Sequence, residues 1–463
     1  MNIPDVRPNI LLINCDDMGY GDLGCYGSKI NQSPNVDALA EQGILFTDFY
    51  AASPVCSPSR GALMTGCYPN RIGFSSFHGK AVLMPGHDIG LNPNEITIAK
   101  QMKQAGYQTM LVGKWHCGDQ PEFLPTRCGF DHYYGLPYSN DMGRQRRTWA
   151  PVEEVDKDFP PLPLMEDDEV IQEQPDQRGL IERYVEQCVR FMRRCEDAPF
   201  FLCLAPLQVH LPLYAPERFV AESKNGDFGA CVAAVDWALA ALTAELKRLH
   251  QYENTVIIFT SDNGSRGDHG ASNGLLRGAK GTTWEGGQRV PCIVSWPGVT
   301  PAGVRCGAVA SNLDFLPVFS RLAGVPVPTD RILDGEDLTE LFLTGKGDGR
   351  REFRYYCMET LEAIRVGDWK LHAFKNGKAF SALYDLRNDP GETKNLLDER
   401  PDVVAALQPV LEQDRRDLGC SGAGVPAQNA REPGRVSNTK KLTANFSPDS
   451  PYLVALYDKE EDF

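Results

Sequence analysis

Asn9-Ile10-Leu11-Leu12-Ile13-Asn14 is a short, uninterrupted apolar run that stops at Asp16-Asp17. That is the pattern of a strand buried on both faces. Thr255-Val256-Ile257-Ile258-Phe259-Thr260 repeats it and stops at Asp262-Asn263-Gly264. Between the two, Gln108-Thr109-Met110-Leu111-Val112 leads into Lys114-Trp115-His116, and Phe200-Phe201-Leu202-Cys203-Leu204 leads toward His210. Four predicted buried strands thus present polar residues just past their carboxyl ends, where open α/β sheets place their ligand sites. Helical segments separate them. Ser33-Pro34 opens one that Gly43 closes, with Val36, Leu39 and Ala40 on a common face. Another spans about Phe228 to Leu249, with Val235, Leu239, Leu242, Leu246 and Leu249 as its core stripe. The expected fold is α/β, a large and mostly parallel sheet flanked by helices.

The texture changes near Arg351. Tyr355 to Met358, Ala363 to Val366, Trp369 to His372 and Leu383 to Leu386 read as short strands separated by turns, followed by a helix near Pro401 to Leu418. From Cys420 the chain is rich in Gly, Pro, Asn and Ser and reads as coil. The expected organisation is therefore a main unit over 1–350, a small α+β unit with an antiparallel sheet over 351–419, and a coil-rich tail over 420–463.

A chain of 463 residues with 42% hydrophobic content can bury a large core. Its formal net charge of −15 argues against nucleic acid as a partner, since phosphate binding carries a basic footprint. No run of eighteen apolar residues is present to span a bilayer, and the first strand begins at Asn9, which leaves no room for a signal peptide. The expected compartment is the cytoplasm. The fourteen cysteines show no Cys-x-x-Cys pairs and no zinc-like Cys/His spacing, so neither a structural zinc nor a disulfide framework is indicated.

One cysteine stands apart in context. The aromatic run Phe46 to Tyr50 leads through Ala51-Ala52-Ser53-Pro54 to Cys56-Ser57-Pro58-Ser59-Arg60, and Pro58 sits where prolines favour the first turn of a helix. A group there meets the positive end of that helix, where developing negative charge is stabilised. Asp16, Asp17, Asp262 and Asn263 offer three carboxylates and an amide oxygen, a hard-oxygen set suited to Ca²⁺ or Mg²⁺. Taken separately each pair also reads as a solvated turn; both end buried apolar runs in a chain that carries the Cys56 stretch.

Cys56 to Arg60, with Leu63-Met64-Thr65-Gly66 beyond, resembles the Cys-x-Pro-Ser-Arg signature at which sulfatases convert cysteine to formylglycine. The resemblance extends over nearly the whole chain and is to formylglycine-type sulfatases of the alkaline-phosphatase-like superfamily, most of all the branch of arylsulfatase A and N-acetylgalactosamine-6-sulfatase. It implies that Asp16, Asp17, Asp262 and Asn263, with the modified Cys56, bind Ca²⁺ in preference to Mg²⁺. It further implies that Arg60 steadies the formylglycine, that Lys114 and His116 form the family's Lys-x-His, and that His210 lies near the leaving oxygen. Lys280, within Gly274 to Gly287, matches the lysine of a highly specific stretch, and Ser139 matches a serine placed near the sulfate. Leu383 to Leu386 with Asp389-Pro390 resembles the family's small C-terminal unit.

The reaction so implied is hydrolysis of a sulfate ester. The hydrated aldehyde attacks sulfur, with Asp262 receiving the proton, and a covalent sulfate ester forms. Lys114 and Lys280 clamp the sulfate oxygens, His210 with Lys280 protonates the leaving oxygen, and His116 deprotonates the second hydroxyl so that sulfate is expelled. An ordinary alcohol would remain as its sulfate ester, which is why an aldehyde is needed. The implied partners are a maturation enzyme that generates formylglycine and a sulfated carbohydrate or aryl sulfate, with sulfated N-acetylgalactosamine or galactose of glycosaminoglycans or mucins first among them. Specificity is expected in rim loops, Phe74 to Asp88, Asn140 to Asp167 and Ser265 to Asn273. Two other readings share these residues: a phosphonate or phosphodiester hydrolase of the same superfamily, and an inactive sulfated-glycan binding protein.

Overall fold

The computed structural model describes residues 7–144, 159–195 and 198–442. The expected strands form the centre of a ten-stranded sheet. In chain order its strands are β1 (Asn9–Cys15), β2 (Ile44–Phe46), β3 (Gln108–Gly113), β4 (His132–Gly135), β5 (Pro163–Glu166), β6 (Glu169–Glu173), β7 (Phe200–Ala205), β8 (Thr255–Ser261), β9 (Cys292–Ser295) and β10 (Val304–Cys306). Their spatial order is β10-β2-β9-β8-β1-β7-β3-β4-β5-β6. The block β8-β1-β7-β3-β4 is parallel throughout. Antiparallel pairs enter only toward the edges, at β8-β9, β9-β2, β4-β5 and β5-β6.

Alternation along β1 explains why its run is apolar at every position. Ile10 and Leu12 enter the core on one face, with Leu63 and Met64 of α2 (Cys56–Thr65) and the helix Phe315–Ala323. Leu11 and Ile13 enter the core on the other, under α1 (Pro34–Gln42), α3 (Leu180–Arg194) and α4 (Gly226–Arg248). All four side chains are fully buried, each contributing about 1.5–3 kcal/mol. Among the described residues α4 is the one helix long and apolar enough to cross a bilayer, and 67% of its apolar window is buried in this core.

The C-terminal strands pair as an antiparallel four-stranded sheet: β11 (Glu352–Cys357), β12 (Thr360–Val366), β13 (Trp369–Lys375) and β14 (Lys378–Asp385). Phe353, Tyr355, Leu361 and Leu371 of this sheet share one core with Tyr50, Tyr68 and Leu313 of the main unit and with Leu407 and Leu411 of α5 (Pro401–Leu418). The described part of the tail crosses back over the large unit. Gly434 and Arg435 pair with Gly90 and Ile89, and Arg431 meets Glu95. Residues 443–463 of the expected tail and 145–158 of the second expected rim loop lie outside the described residues.

Candidate active site

Eight of the site residues expected from the sequence gather at the carboxyl ends of the central strands, because parallel strands end on the same side, and Cys56, Arg60 and Lys280 reach them from a helix and a loop. β1 delivers Asp16 and Asp17, β3 delivers Lys114 and His116, and β8 delivers Asp262 and Asn263. Ser139 follows β4 and His210 follows β7. The strand ends are stitched together by their backbones: Asp262 N–H donates to the Cys15 carbonyl (3.0 Å), Val209 N–H to that of Asp16 (2.7 Å), and Lys114 N–H to that of Ala205 (2.7 Å). Gly113 is required here, since its φ is +109° and a Cβ would lie 2.0 Å from the Ala205 carbonyl oxygen. Asp17 and His116 also sit in the left-handed region, at φ +62° and +59°. Such conformations cost on the order of 1–3 kcal/mol and cluster at functional sites.

Cys56 is the first residue of α2, preceded by extended Val55, and the residue is 2% exposed. Asp16, Asp17, Cys56 and His210 each place a ligand atom within 4.8 Å of the others. Lys280 Nζ donates to Cys56 Sγ (3.3 Å) and pairs with Asp17 Oδ1 (2.6 Å). Lys114 Nζ pairs with Asp16 Oδ2 (2.6 Å) and donates to Ser139 Oγ (3.2 Å). Arg60, one turn along α2, donates through Nε to Asp262 Oδ2 (2.8 Å) and through a terminal nitrogen to the Lys114 carbonyl (2.9 Å). Asn263 Nδ2 donates to Asp17 Oδ1 (2.8 Å). His210 Nε2 lies 3.7 Å from Asp17 Oδ2, and its Nδ1 is bonded to the Leu211 carbonyl. His116 Nε2 is 3.1 Å from the Leu83 carbonyl, on the first rim loop, whose Leu83 N–H is bound by Ser57 Oγ.

The electrostatics divide these groups. Burial opposes ionisation of Asp16, yet the Lys114 ammonium, helped by His210, Arg60 and Lys280, holds its carboxyl well below the usual range. Burial pushes Asp262 up to about 6, with Asp16 and Asp17 adding to the rise against the pull of Arg60. Burial likewise pushes the Cys56 thiol up to about 12 despite both lysines, and holds His116 neutral, well below its ordinary value. Lys280 rises because Asp17 and its neighbours outweigh its own desolvation.

The residues fit a hard divalent cation. Asp16 Oδ1 and Asn263 Oδ1 are buried oxygens that accept no hydrogen bond, and they lie among carboxylates that repel one another. Among the described residues the cluster holds one sulfur and one imidazole beside two carboxylates, which is not the donor set of a soft metal.

Two features escaped the sequence reading. Asp141, two residues past Ser139 and hydrogen-bonded to it, is held low against its own burial by His210, Lys114 and Lys280; its place after a strand was the available signal. Arg266 and His269, on the third rim loop, share a cleft with Asp17, Val209 and Leu211.

Comparison with known proteins identifies the family. Residues 8–325 match the sulfatase family model, and residues 279–417 match that of the N-sulphoglucosamine sulphohydrolase C-terminal region. Arylsulfatase A of Homo sapiens is 39% identical over 92% of this chain and 90% of its own. Steryl-sulfatase of Rattus norvegicus is 35% identical over 84% and 78%, and N-acetylgalactosamine-6-sulfatase of Canis lupus familiaris 35% over 89% and 86%. Among solved structures, the crystal structure of Ps i-CgsB in complex with k-i-k-neocarrahexaose superposes with a TM-score of 0.77 at 32% identity, over 88% of this chain and 92% of that one. The chain belongs to the sulfatase family of sulfuric ester hydrolases.

Proposed function

We propose that the enzyme releases inorganic sulfate from a sulfated sugar, using formylglycine made from Cys56 as the nucleophile, with residues 1–350 as the catalytic unit. The observation that carries this reading is the position of Cys56. Its sulfur sits at a helix N-terminus, among two carboxylates, a histidine and the Lys280 ammonium. A thiol pushed up to about 12 is no nucleophile near neutral pH, so a site this elaborate around an unmodified cysteine would have little use for it. As formylglycine, the same residue would offer a hydrated aldehyde, one hydroxyl to attack sulfur and a second to let sulfate go.

Asp16, Asp17, Asp262 and Asn263, with residue 56, would hold Ca²⁺, which when bound polarises a sulfate oxygen and the nucleophile. Lys114 and Lys280 would bind the remaining sulfate oxygens as fixed cations in a buried pocket, and Ser139 would bind one through its hydroxyl. Arg60 holds Asp262 in place, and its carboxylate would take the attacking hydroxyl's proton. His210, its Nδ1 engaged by Leu211, presents Nε2 as the acid for the departing sugar oxygen. His116, neutral and with Nδ1 unpartnered, is the base for the final deprotonation.

A sulfated N-acetylgalactosamine or galactose is the proposed substrate. Its support is the relatives named N-acetylgalactosamine-6-sulfatase and the solved complex with k-i-k-neocarrahexaose, with Arg266 and His269 lining the cleft beside Asp17 as polar contacts for a sugar. The test is sulfate release from position-defined sulfated monosaccharides, including 4-O- and 6-O-sulfated N-acetylgalactosamine, alongside steroid, nitrophenyl sulfate, phosphodiester and phosphonate esters. Faster turnover of the phosphorus esters than of every sulfate would overturn the proposal.

A further inference from the structure

The loop that carries Lys280 is fastened from below by a charged cluster that the mechanism does not use. Lys370, on β13 of the small sheet, is fully buried. Its ammonium donates to the Thr283 carbonyl (2.8 Å) and pairs with Glu285 (2.9 Å) and Glu392 (2.9 Å), both also fully buried. Glu392 accepts from the Glu285 backbone N–H (2.7 Å), and its own carbonyl accepts from Arg277 (3.0 Å). The Glu285 carboxylate takes further hydrogen bonds from Tyr50 and Tyr355. Burial opposes its ionisation, but Lys370, Arg289 and Arg365 hold it ionised, down to about 2.

The segment pinned at Thr283 and Glu285 begins only three residues after Lys280. Its upper side is already committed to the active site. Lys280 N–H donates to the Ser265 carbonyl (2.8 Å), Gly281 N–H to the Pro54 carbonyl just before Cys56 (2.9 Å), and Gly264 N–H, next to Asn263, to the Gly287 carbonyl (3.0 Å). The fit leaves no slack, since a Cβ on Gly264 would lie 1.9 Å from the Gly286 carbonyl oxygen. One short loop is therefore clamped between the Cys56 approach above and Lys370 below. Buried ion pairs of this kind add little net stability over an apolar replacement, but they fix geometry when every member is satisfied.

We propose that Lys370, with Glu392, is a positioning residue for Lys280, so that the small C-terminal sheet sets the geometry of the sulfate site. The inference rests on the reading of Lys280 as a sulfate contact. A displacement near 1 Å at such a group lowers turnover by up to about a hundredfold, whereas a purely structural residue lowers the amount of folded enzyme.

The test is a double-mutant cycle on the full-length, matured enzyme with a sulfate ester substrate, using K280A, K370M and K280A/K370M, with the folded fraction and the formylglycine content of each measured separately. Expected is a loss in kcat/KM of at least about tenfold for folded K370M and less than about threefold further loss when it is added to K280A, because there is then no ammonium left to position. Losses that multiply in the double mutant would overturn the inference and leave Lys370 a structural residue. Wild-type rates for K280A would instead remove the reading of Lys280 beneath it. Should K370M fail to fold, E392Q replaces it in the cycle. This variant retains an acceptor for the Glu285 N–H while removing one charge from Lys370, and is expected to lose at least about threefold with the same non-additivity.

Discussion

The Lys280 ammonium stands 3.3 Å from the Cys56 sulfur while holding Asp17 at 2.6 Å. A single cation thus bridges the nucleophile position and the acidic cluster, where it meets charge that develops during reaction. Removal of one such preorganised donor costs roughly 10²–10³ in kcat. K280A is expected to lose this much in steady-state sulfate release with its thermal melt little changed. A loss below threefold would take Lys280 out of the mechanism.

Removal of the cation is expected to act on activity and stability together. Asp16 Oδ1 and Asn263 Oδ1 are buried and accept no hydrogen bond in the fold, so dialysis against a calcium chelator should abolish turnover and lower Tm, with both restored by Ca²⁺. Stabilisation by a bound ion is about 2.7 kcal/mol at a hundredfold excess over Kd. D16A and D262A should lose metal binding and turnover together in calorimetry and kinetic assays. Stoichiometric Ca²⁺ and normal rates in either variant would sink the metal assignment.

The parallel centre of the sheet was legible because β1, β3, β7 and β8 are buried on both faces and so read as unbroken apolar runs. The edge strands were not. β2 and β9 pair with each other across about 250 residues, and no periodicity carries such a pairing. β10 is three residues long, too short for any pattern. The site residues were legible for a different reason: each follows a strand end or stands in a specific motif, whereas Lys370, Glu285 and Glu392 meet only in the folded chain, at separations of 85 and 107 residues for two of their contacts. Asp141 lay in view beside Ser139, but a loop aspartate has no distinguishing neighbours until β4 carries it to His210 and Lys114.

His210 is expected to matter in proportion to how badly the leaving group needs a proton. Its Nε2 lies 3.7 Å from Asp17 Oδ2. H210A should therefore slow a sugar sulfate far more than nitrophenyl sulfate, by at least about tenfold in relative kcat, since general acid catalysis contributes about 10²–10⁴ where it is needed. Equal fractional losses on the two substrates would make His210 structural.

A pH effect on stability is expected from Asp119. This buried carboxyl accepts from Gly86 N–H (2.6 Å) and so anchors the first rim loop, and burial pushes it up to about 6 despite that bond. Between pH 4 and 6 the unfolded chain ionises while the folded one keeps its proton, so stability contributed below pH 4 is lost as pH rises through 6. Keeping the proton up to about pH 6 in the fold makes the ionised fold less stable by about 3 kcal/mol. Denaturation of wild type and D119N across this range should show the wild type losing stability relative to the variant and the difference levelling off above pH 6. A pH-independent difference would show that Asp119 ionises in the fold as readily as in the unfolded chain.

The last expectation concerns Cys56 itself. Cys56 is 2% exposed and its thiol is pushed up to about 12, so it cannot attack sulfur at neutral pH, and the plain alcohol of C56S could not release sulfate once it had accepted it. Peptide mass spectrometry of active enzyme should therefore show residue 56 as formylglycine, in an amount that tracks specific activity when co-expression of a maturation enzyme is varied. C56A should be inert. C56S should be active only where a serine-accepting maturation system converts it, and otherwise take up at most one sulfate per molecule. Full turnover by protein in which every molecule keeps the Cys56 thiol would falsify the formylglycine mechanism and leave the lysine-flanked carboxylates in need of another nucleophile.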